Sequence, residues 1–344
     1  MKERIEYIDI GKGCAILLMV MGHIIAWEYP KEFIQDSGLP AYNFSLFHFI
    51  YAFHMSLFFF FSGFVFKLRT VDFKGFESCV KKRLVTLMLP FLTFGCLYYL
   101  VYGCNFTNYW YLRSLFLFCF VNGIIELCAR NHHTTRIRII SYAVIFIVFR
   151  IACHFLSDRP WYTLVGLDSF SLFYYPSFCL GFLASRYKRV DSILDNQILY
   201  TSGILIFLIL FINKMGDNFL YLPNVLYGIL NMYALPCCGV IVGRYFLKNS
   251  TIPKYISTFL QYLGRNTLII YLLHFYLCIS LPNLGNYSLM LCKYGVPSSC
   301  VSSFVIQFVI TLLVAIAISI LSILVASIFR RSRFLNLILF GKSK

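Results

Sequence analysis

Apolar runs of about 20 residues alternate along the chain with short polar breaks, a pattern that predicts membrane-spanning helices. Ten such runs are expected as helices, at residues 8–27, 46–66, 84–103, 109–128, 138–156, 167–185, 198–213, 224–243, 262–281 and 301–328. The apolar-out, polar-in alternation of a β-barrel is not the pattern here. No break is long enough for a separate soluble domain, and no internal repeat or low-complexity linker divides the chain. The expected fold class is therefore an all-α polytopic membrane protein with about ten transmembrane helices, organised as a single domain over residues 1–344.

The breaks also carry orientation. Lys2 and Arg4 precede the first run, and the second break holds Lys67, Arg69, Lys74, Lys81, Lys82 and Arg83. The fourth, sixth and eighth breaks and the C-terminal segment are basic as well, whereas the odd-numbered breaks are nearly bare of net positive charge. Alternation of this kind is what the positive-inside rule gives for ten spans with both termini cytoplasmic.

Composition agrees. The 344 residues are 60% hydrophobic and 13% charged, with a mean hydropathy of +0.75, whereas soluble domains carry roughly 25% charged residues. A net charge of +16 could suggest nucleic acid, but the lysines and arginines sit in short loops where they set topology, so no nucleic-acid partner is expected. The 13 cysteines are scattered, mostly inside apolar runs, without a C-x-x-C or a zinc-like Cys/His cluster, and are read as packing residues. His132-His133 in a cytoplasmic loop is not taken as a metal site. The N-terminus has the charge-then-apolar shape of a signal peptide but lacks a small-x-small cleavage site, so the first segment is expected to be retained.

Against this apolar background, ionisable groups inside the runs stand out, because burying them in a membrane costs several kcal/mol and they mark function by default. On the first helix Asp9, Lys12, Ile16, Met19 and His23 share one face. Lys12 and His23 are separated by roughly 16–17 Å at ~1.5 Å per residue, one near a membrane surface and one well inside. Asp9, roughly 21 Å from His23 by rise, suits an i, i+3 pair with Lys12 better than any part in chemistry at His23. His54 in the second run and His274 in the ninth fall, with His23, roughly 6–12 Å below the outer boundary at ~1.5 Å per residue, which suggests a polar chamber in the outer half. Imidazole suits proton abstraction from a hydroxyl near neutral pH. His54 and His274 are equally compatible with hydrogen bonding to a neighbouring helix, and His48 and His154 lie near the surface. Lys81-Lys82-Arg83 is either a topogenic run or a site for the phosphates of an anionic donor entering from the cytoplasm. Arg113 and Arg150, inside apolar runs, face protein or water or snorkel from their helices.

Taken together, these pieces resemble a known family. Asp9-Ile-Gly-Lys12 through Gly22-His23, Phe53-His54-Met55 with Leu57-Phe58-Phe59 and Ser62-Gly63-Phe64, Lys82-Arg83-Leu84 with Leu89-Pro90, and Asn266-Thr267 through Tyr271-Leu272-Leu273-His274 are similar to the acyltransferase family 3 membrane proteins. Within that family the chain looks most like the fucose 4-O-acetylase-like branch of bacterial carbohydrate O-acetyltransferases. The likeness is strong over residues 1–90 and weaker over 100–330.

This resemblance implies transfer of an acetyl or short acyl group from acyl-CoA to a hydroxyl of a cell-surface carbohydrate or its lipid-linked precursor, in the bacterial inner membrane. It carries His23 over as the expected catalytic residue, and the expectation built on it is His23 as general base, or else a transient acyl carrier, with His54 and His274 lining the acceptor site. Lys12, Lys82 and Arg83 would hold the phosphates of the acetyl-CoA donor, with no metal. The family's first-helix motif is Arg, ten residues, His; here Lys12 stands at the Arg position, trading a bidentate fork for a point charge. A fused periplasmic esterase-like domain of the sort some members have is not expected here. The alternative function is a transporter or flippase that uses the intramembrane histidines as a proton relay; a scaffold without catalysis is a third.

Overall fold

The computed structural model describes residues 5–28, 42–103, 109–131, 135–156, 172–215, 218–278 and 300–342, and among them every regular element is helical. Helix α1 spans Glu6–Glu28 and α2 Tyr42–Phe64. Helix α3 (Phe73–Arg83) runs through a π-helical turn, Leu84–Met88, into α4 (Leu89–Tyr102). Helices α5 (Trp110–Cys128), α6 (Thr135–Leu156), α7 (Tyr175–Arg186), α8 (Lys188–Leu194) and α9 (Gln197–Met215) follow. Helix α10 (Asn224–Ile229) passes through a second π turn, Leu230–Ala234, into α11 (Leu235–Asn249). The chain then forms α12 (Lys254–Arg265), α13 (Thr267–Cys278), α14 (Cys300–Phe329) and α15 (Arg333–Phe340).

Each of the ten expected segments contains a helix. Seven helical stretches of the described residues are long and apolar enough to cross a membrane, and Ile139–Ala152 and Thr267–Cys278 are shorter apolar helices. The sixth expected segment, 167–185, lies partly outside the described residues, and α7 covers the rest. This is a polytopic membrane protein.

Three local features depart from the expected boundaries. The basic break before residue 84 is itself helical: the Asp72 carboxylate accepts from the Gly75 N–H and the Thr70 hydroxyl, capping α3, and these two bonds hold its carboxyl below the usual range. Both π turns end immediately before a Leu-Pro, at Pro90 and Pro236. Proline supplies no N–H and its ring crowds the carbonyl four residues back, so the preceding turn widens. Finally, the helix expected at 262–281 is two: α12 begins eight residues earlier and ends at Asn266, whose side-chain amide donates to the Tyr262 carbonyl and stops the helix.

Two compact units are distinguished, Met1–Phe58 with Ile193–Ser327 and Phe59–Ser192 with Ile328–Lys344. In the first, α1 is the central element: 72% of its apolar window is buried, against 22% for the window in α9. Ile16, Met19, Val20 and Ile24 are fully enclosed, and α12, α13 and α11 pack around the helix. Apolar side chains gain little from leaving lipid for protein, so close backbone approach at small residues does much of the holding. Gly13 of α1 lies on the Leu260 carbonyl and Gly264 of α12 lies on the Asp9 carbonyl, neither leaving room for a Cβ. The second unit repeats the device: Gly63 meets the Phe178 carbonyl and Gly181 the Phe60 carbonyl, binding α2 to α7 around the buried rings of Phe59, Phe118 and Phe178.

Candidate functional site

The site grows from position 23 of α1. Its neighbour Gly22 brings α1 against α2, where a Cβ would stand 2.9 Å from the Tyr51 ring and 3.3 Å from Ile50. One helical turn on, His54 is 2% exposed, its ring edge-on to Tyr51 at 4.9 Å between centroids. From the other side α13 presents His274, which is completely buried. Phe275 closes over both rings, 5.3 Å from His23 and 4.2 Å from His274.

The two imidazoles of His23 and His274 meet, Nδ1 to Nε2, at 2.8 Å. Their planes differ by 15° and their centroids lie 5.0 Å apart. So short an N···N contact at that centroid separation requires the rings to meet edge to edge, nearly coplanar, which is hydrogen-bonding rather than face-stacking geometry.

Main-chain carbonyls decide which nitrogen carries each proton. His274 Nδ1 is 3.0 Å from the carbonyl oxygen of Ile270, four residues back on its own helix. A carbonyl only accepts, so His274 Nδ1 bears the hydrogen and, in the neutral ring, Nε2 bears the lone pair. His23 Nδ1 must then donate to that lone pair, which puts the basic lone pair of neutral His23 on Nε2. His54 is fixed likewise, its Nδ1–H donating to the Ile50 carbonyl at 2.7 Å, with Nε2 as its accepting nitrogen. Among the described residues no group of three or more His, Cys, Asp or Glu side chains is placed to hold a metal ion.

Toward the N-terminal end of α1, Arg265 Nε lies 3.4 Å from Asp9 Oδ2, and Arg265 also donates to Gln261 at 3.0 Å. Asp9 thus has an arginine of α12 as a partner, beyond the Lys12 pairing that i, i+3 spacing suggests. Lys12 is half-buried on the same turn. Nearby in this unit Arg244, fully buried, donates to Asp195 at 2.8 Å; Lys248 bonds the other carboxylate oxygen and stands 6.0 Å from the Tyr7 ring. Burial pushes the Asp195 carboxyl up, but the Lys248 and Arg244 hydrogen bonds outweigh it and hold the group below its usual range. Arg244 was among the charges that make the eighth break basic, a reading that overlooked this network. The signal was present in Gly239-Val-Ile-Val-Gly-Arg244-Tyr-Phe-Leu, a charge with apolar residues on both sides.

Lys82 and Arg83 belong to the second unit. Lys82 is exposed, while Arg83 lies 6.0 Å from the Phe66 ring and lines a small cleft with Cys79, Phe116, Cys119 and Phe120. Arg113 is 4% exposed, and Arg150 stands 5.0 Å from the Phe173 ring. This unit also buries polar groups that the sequence pattern did not single out. Glu126, 2% exposed, accepts from Tyr142 at 3.3 Å and lies 3.7 Å from Arg186; Asn122 accepts from the Tyr175 hydroxyl at 2.8 Å. The side chain of His154 and residues His132-His133 lie outside the described residues.

An acyltransferase domain model, that of the acyltransferase 3 family, matches residues 5–329, almost the whole chain. The protein belongs to the acyltransferase 3 family. Comparison with curated proteins and with solved structures gives no match. As a member of the acyltransferase 3 family the chain is a multi-pass membrane O-acyltransferase, and the matched span takes in both compact units.

Proposed function

We propose that this acyltransferase 3 protein moves an acetyl or other short acyl group from acyl-CoA to a hydroxyl of a cell-surface carbohydrate or its lipid-linked precursor, in the bacterial inner membrane, as fucose 4-O-acetylase-like enzymes do. His23 is the general base. The observation that supports this role is the His23–His274 hydrogen bond, which consumes Nδ1–H of His23 and sets the basic lone pair on Nε2.

In the reaction the acceptor hydroxyl oxygen attacks the thioester carbonyl carbon as its proton passes to His23 Nε2. The C–S bond breaks, and the proton moves on to the departing CoA thiolate. The products are an O-ester and CoA thiol, and His23 returns to its neutral form. A positioned general base contributes roughly 10²–10⁴-fold in rate, and alignment of hydroxyl and thioester contributes more. His54, with Nε2 as its accepting nitrogen, can take a hydrogen bond from an acceptor hydroxyl. Lys12 offers its charge to a donor phosphate from the end of α1 that the positive-inside rule assigns to the cytoplasm.

Membranes carrying the protein, supplied with labelled acetyl-CoA and cell-envelope glycans, test the proposal. Label enters glycan with the wild type and falls on the order of 10²-fold or more with His23→Ala at matched expression. Equal incorporation by both would remove His23 from the chemistry.

A further inference from the structure

The hydrogen bonds among Ile270, His274 and His23 have a direction that the role of His23 alone does not require. The chain is anchored at a backbone carbonyl, the acceptor four residues before His274 on α13, which cannot reverse its role. Each nitrogen from there outward is fixed in turn as donor, acceptor, donor and finally acceptor at His23 Nε2. Without the His274 acceptor, His23 Nδ1–H loses the 2.8 Å bond that compensates its desolvation. Moving that hydrogen to Nε2 would relieve the loss and leave the ring with no basic nitrogen where Nε2 stands.

We propose that His274 is a positioning residue for acyl transfer: its Nε2 lone pair holds His23 in the Nδ1–H tautomer and takes a share of the positive charge when His23 Nε2 receives the hydroxyl proton. This rests on His23 being the base. It takes His274 out of the acceptor-lining role expected from the sequence and gives it the part that a carboxylate plays in many catalytic triads, with a neutral imidazole instead. The proton reaching Nε2 leaves again on the CoA thiolate, so no net protonation of His274 is needed; charge is shared across the 2.8 Å bond only during the reaction.

The geometry also says which replacement fails and which works. Glutamine reaches as far along its side chain as histidine Nε2, and its amide oxygen accepts a hydrogen bond. Phenylalanine fills the same space and accepts nothing comparable.

Solid-state ¹⁵N NMR of the histidine-labelled protein in lipid reads the tautomer directly, with the His23 signals assigned by their loss in His23→Ala. The expected result is His23 protonated at Nδ1 and bare at Nε2 in the wild type, and a shift toward the Nε2–H tautomer in His274→Phe. In the acetyl-transfer assay His274→Phe lowers kcat on the order of 10²-fold with KM for acetyl-CoA within about twofold, and His274→Gln recovers about tenfold of that loss. Wild-type His23 carrying its hydrogen on Nε2 would overturn the proposal, whether or not a variant folds. So would His274→Phe with unchanged kcat while His23→Ala is inactive, a result that leaves the base assignment standing. Full transfer by His23→Ala would remove both.

Discussion

Gly264 lies so directly on the main chain of Asp9 that no side chain fits between them, and four residues away along each helix Gly13 does the same to Leu260. The two contacts run in opposite senses along α1 and α12, so each helix contributes one glycine and one carbonyl. They fix the register of α1, the helix that carries Lys12 and His23.

Replacing either glycine by alanine forces two backbones apart, a strain that no rotamer change relieves. Gly264→Ala and Gly13→Ala are each expected to destabilise the protein by about 1–3 kcal/mol, the usual range for overpacking. Thermal unfolding in detergent measures it. Gly228→Ala is the control: nothing lies within 4 Å of the added Cβ in α10, and loss of helical glycine there should be neutral or stabilising by up to about 1 kcal/mol. Equal behaviour of all three would mean that the α1–α12 contact is not a constraint.

Gly22→Ala tests the same logic at the site. The atom in the way is the edge of the Tyr51 ring, not backbone, so the ring can move and the fold should survive. Tyr51 packs edge-on against His54, so displacement reaches the site. Acetyl transfer is expected to fall roughly 10-fold or more, in keeping with the sensitivity of positioned groups to small displacements, with thermal stability changed by less than about 1.5 kcal/mol. Unchanged transfer would show that Tyr51 is free to shift without consequence.

That His23 and His274 share a level was readable from the sequence, and which helix faces meet was not. Counting residues from each membrane boundary placed His23, His54 and His274 at a common level because rise per residue is constant along a helix. Which pair would touch depends on how α1, α2 and α13 turn about their axes, and that is set by Gly22, Gly13 and Gly264, which look in sequence like any other glycine in an apolar run. The ends of α12 and α13 were blurred for a related reason. Arg265-Asn266 is polar enough to end a helix but sits between two apolar stretches that read as one. Glu126, Asn122 and Arg244 were passed over because a single polar residue near the end of an apolar run resembles a loop residue until its partners, Arg186, Tyr175 and Asp195, are seen.

Lys12 supports a prediction about the donor. Arginine at this position, as in the family motif, offers two parallel N–H groups to a phosphate where lysine offers a point charge. Lys12→Arg is expected to lower KM for acetyl-CoA severalfold with kcat little changed, and Lys12→Ala to raise it about 10-fold, since an interaction made equally in ground and transition states moves KM alone. Initial rates at varied acetyl-CoA give both parameters. A fall in kcat with constant KM in Lys12→Ala would assign the residue to holding α1 instead.

The Asp195–Arg244–Lys248 network predicts a specific pH dependence. Arg244 is completely buried, and a buried charge stripped of its partner costs about 3–5 kcal/mol, so Asp195→Asn should destabilise the protein by about 3 kcal/mol at neutral pH. The carboxyl titrates lower folded than unfolded because Lys248 and Arg244 hold its charged form. Its contribution is therefore complete above the unfolded value of about 3.9 and is lost as pH falls through the lower folded value. Stability of the wild type is expected to decline below about pH 4 more steeply than that of Asp195→Asn, the two curves converging in acid. Thermal unfolding from neutral pH into acid gives both curves. Parallel curves would mean that Asp195 does not carry the acid sensitivity and that Arg244 is neutralised by another group.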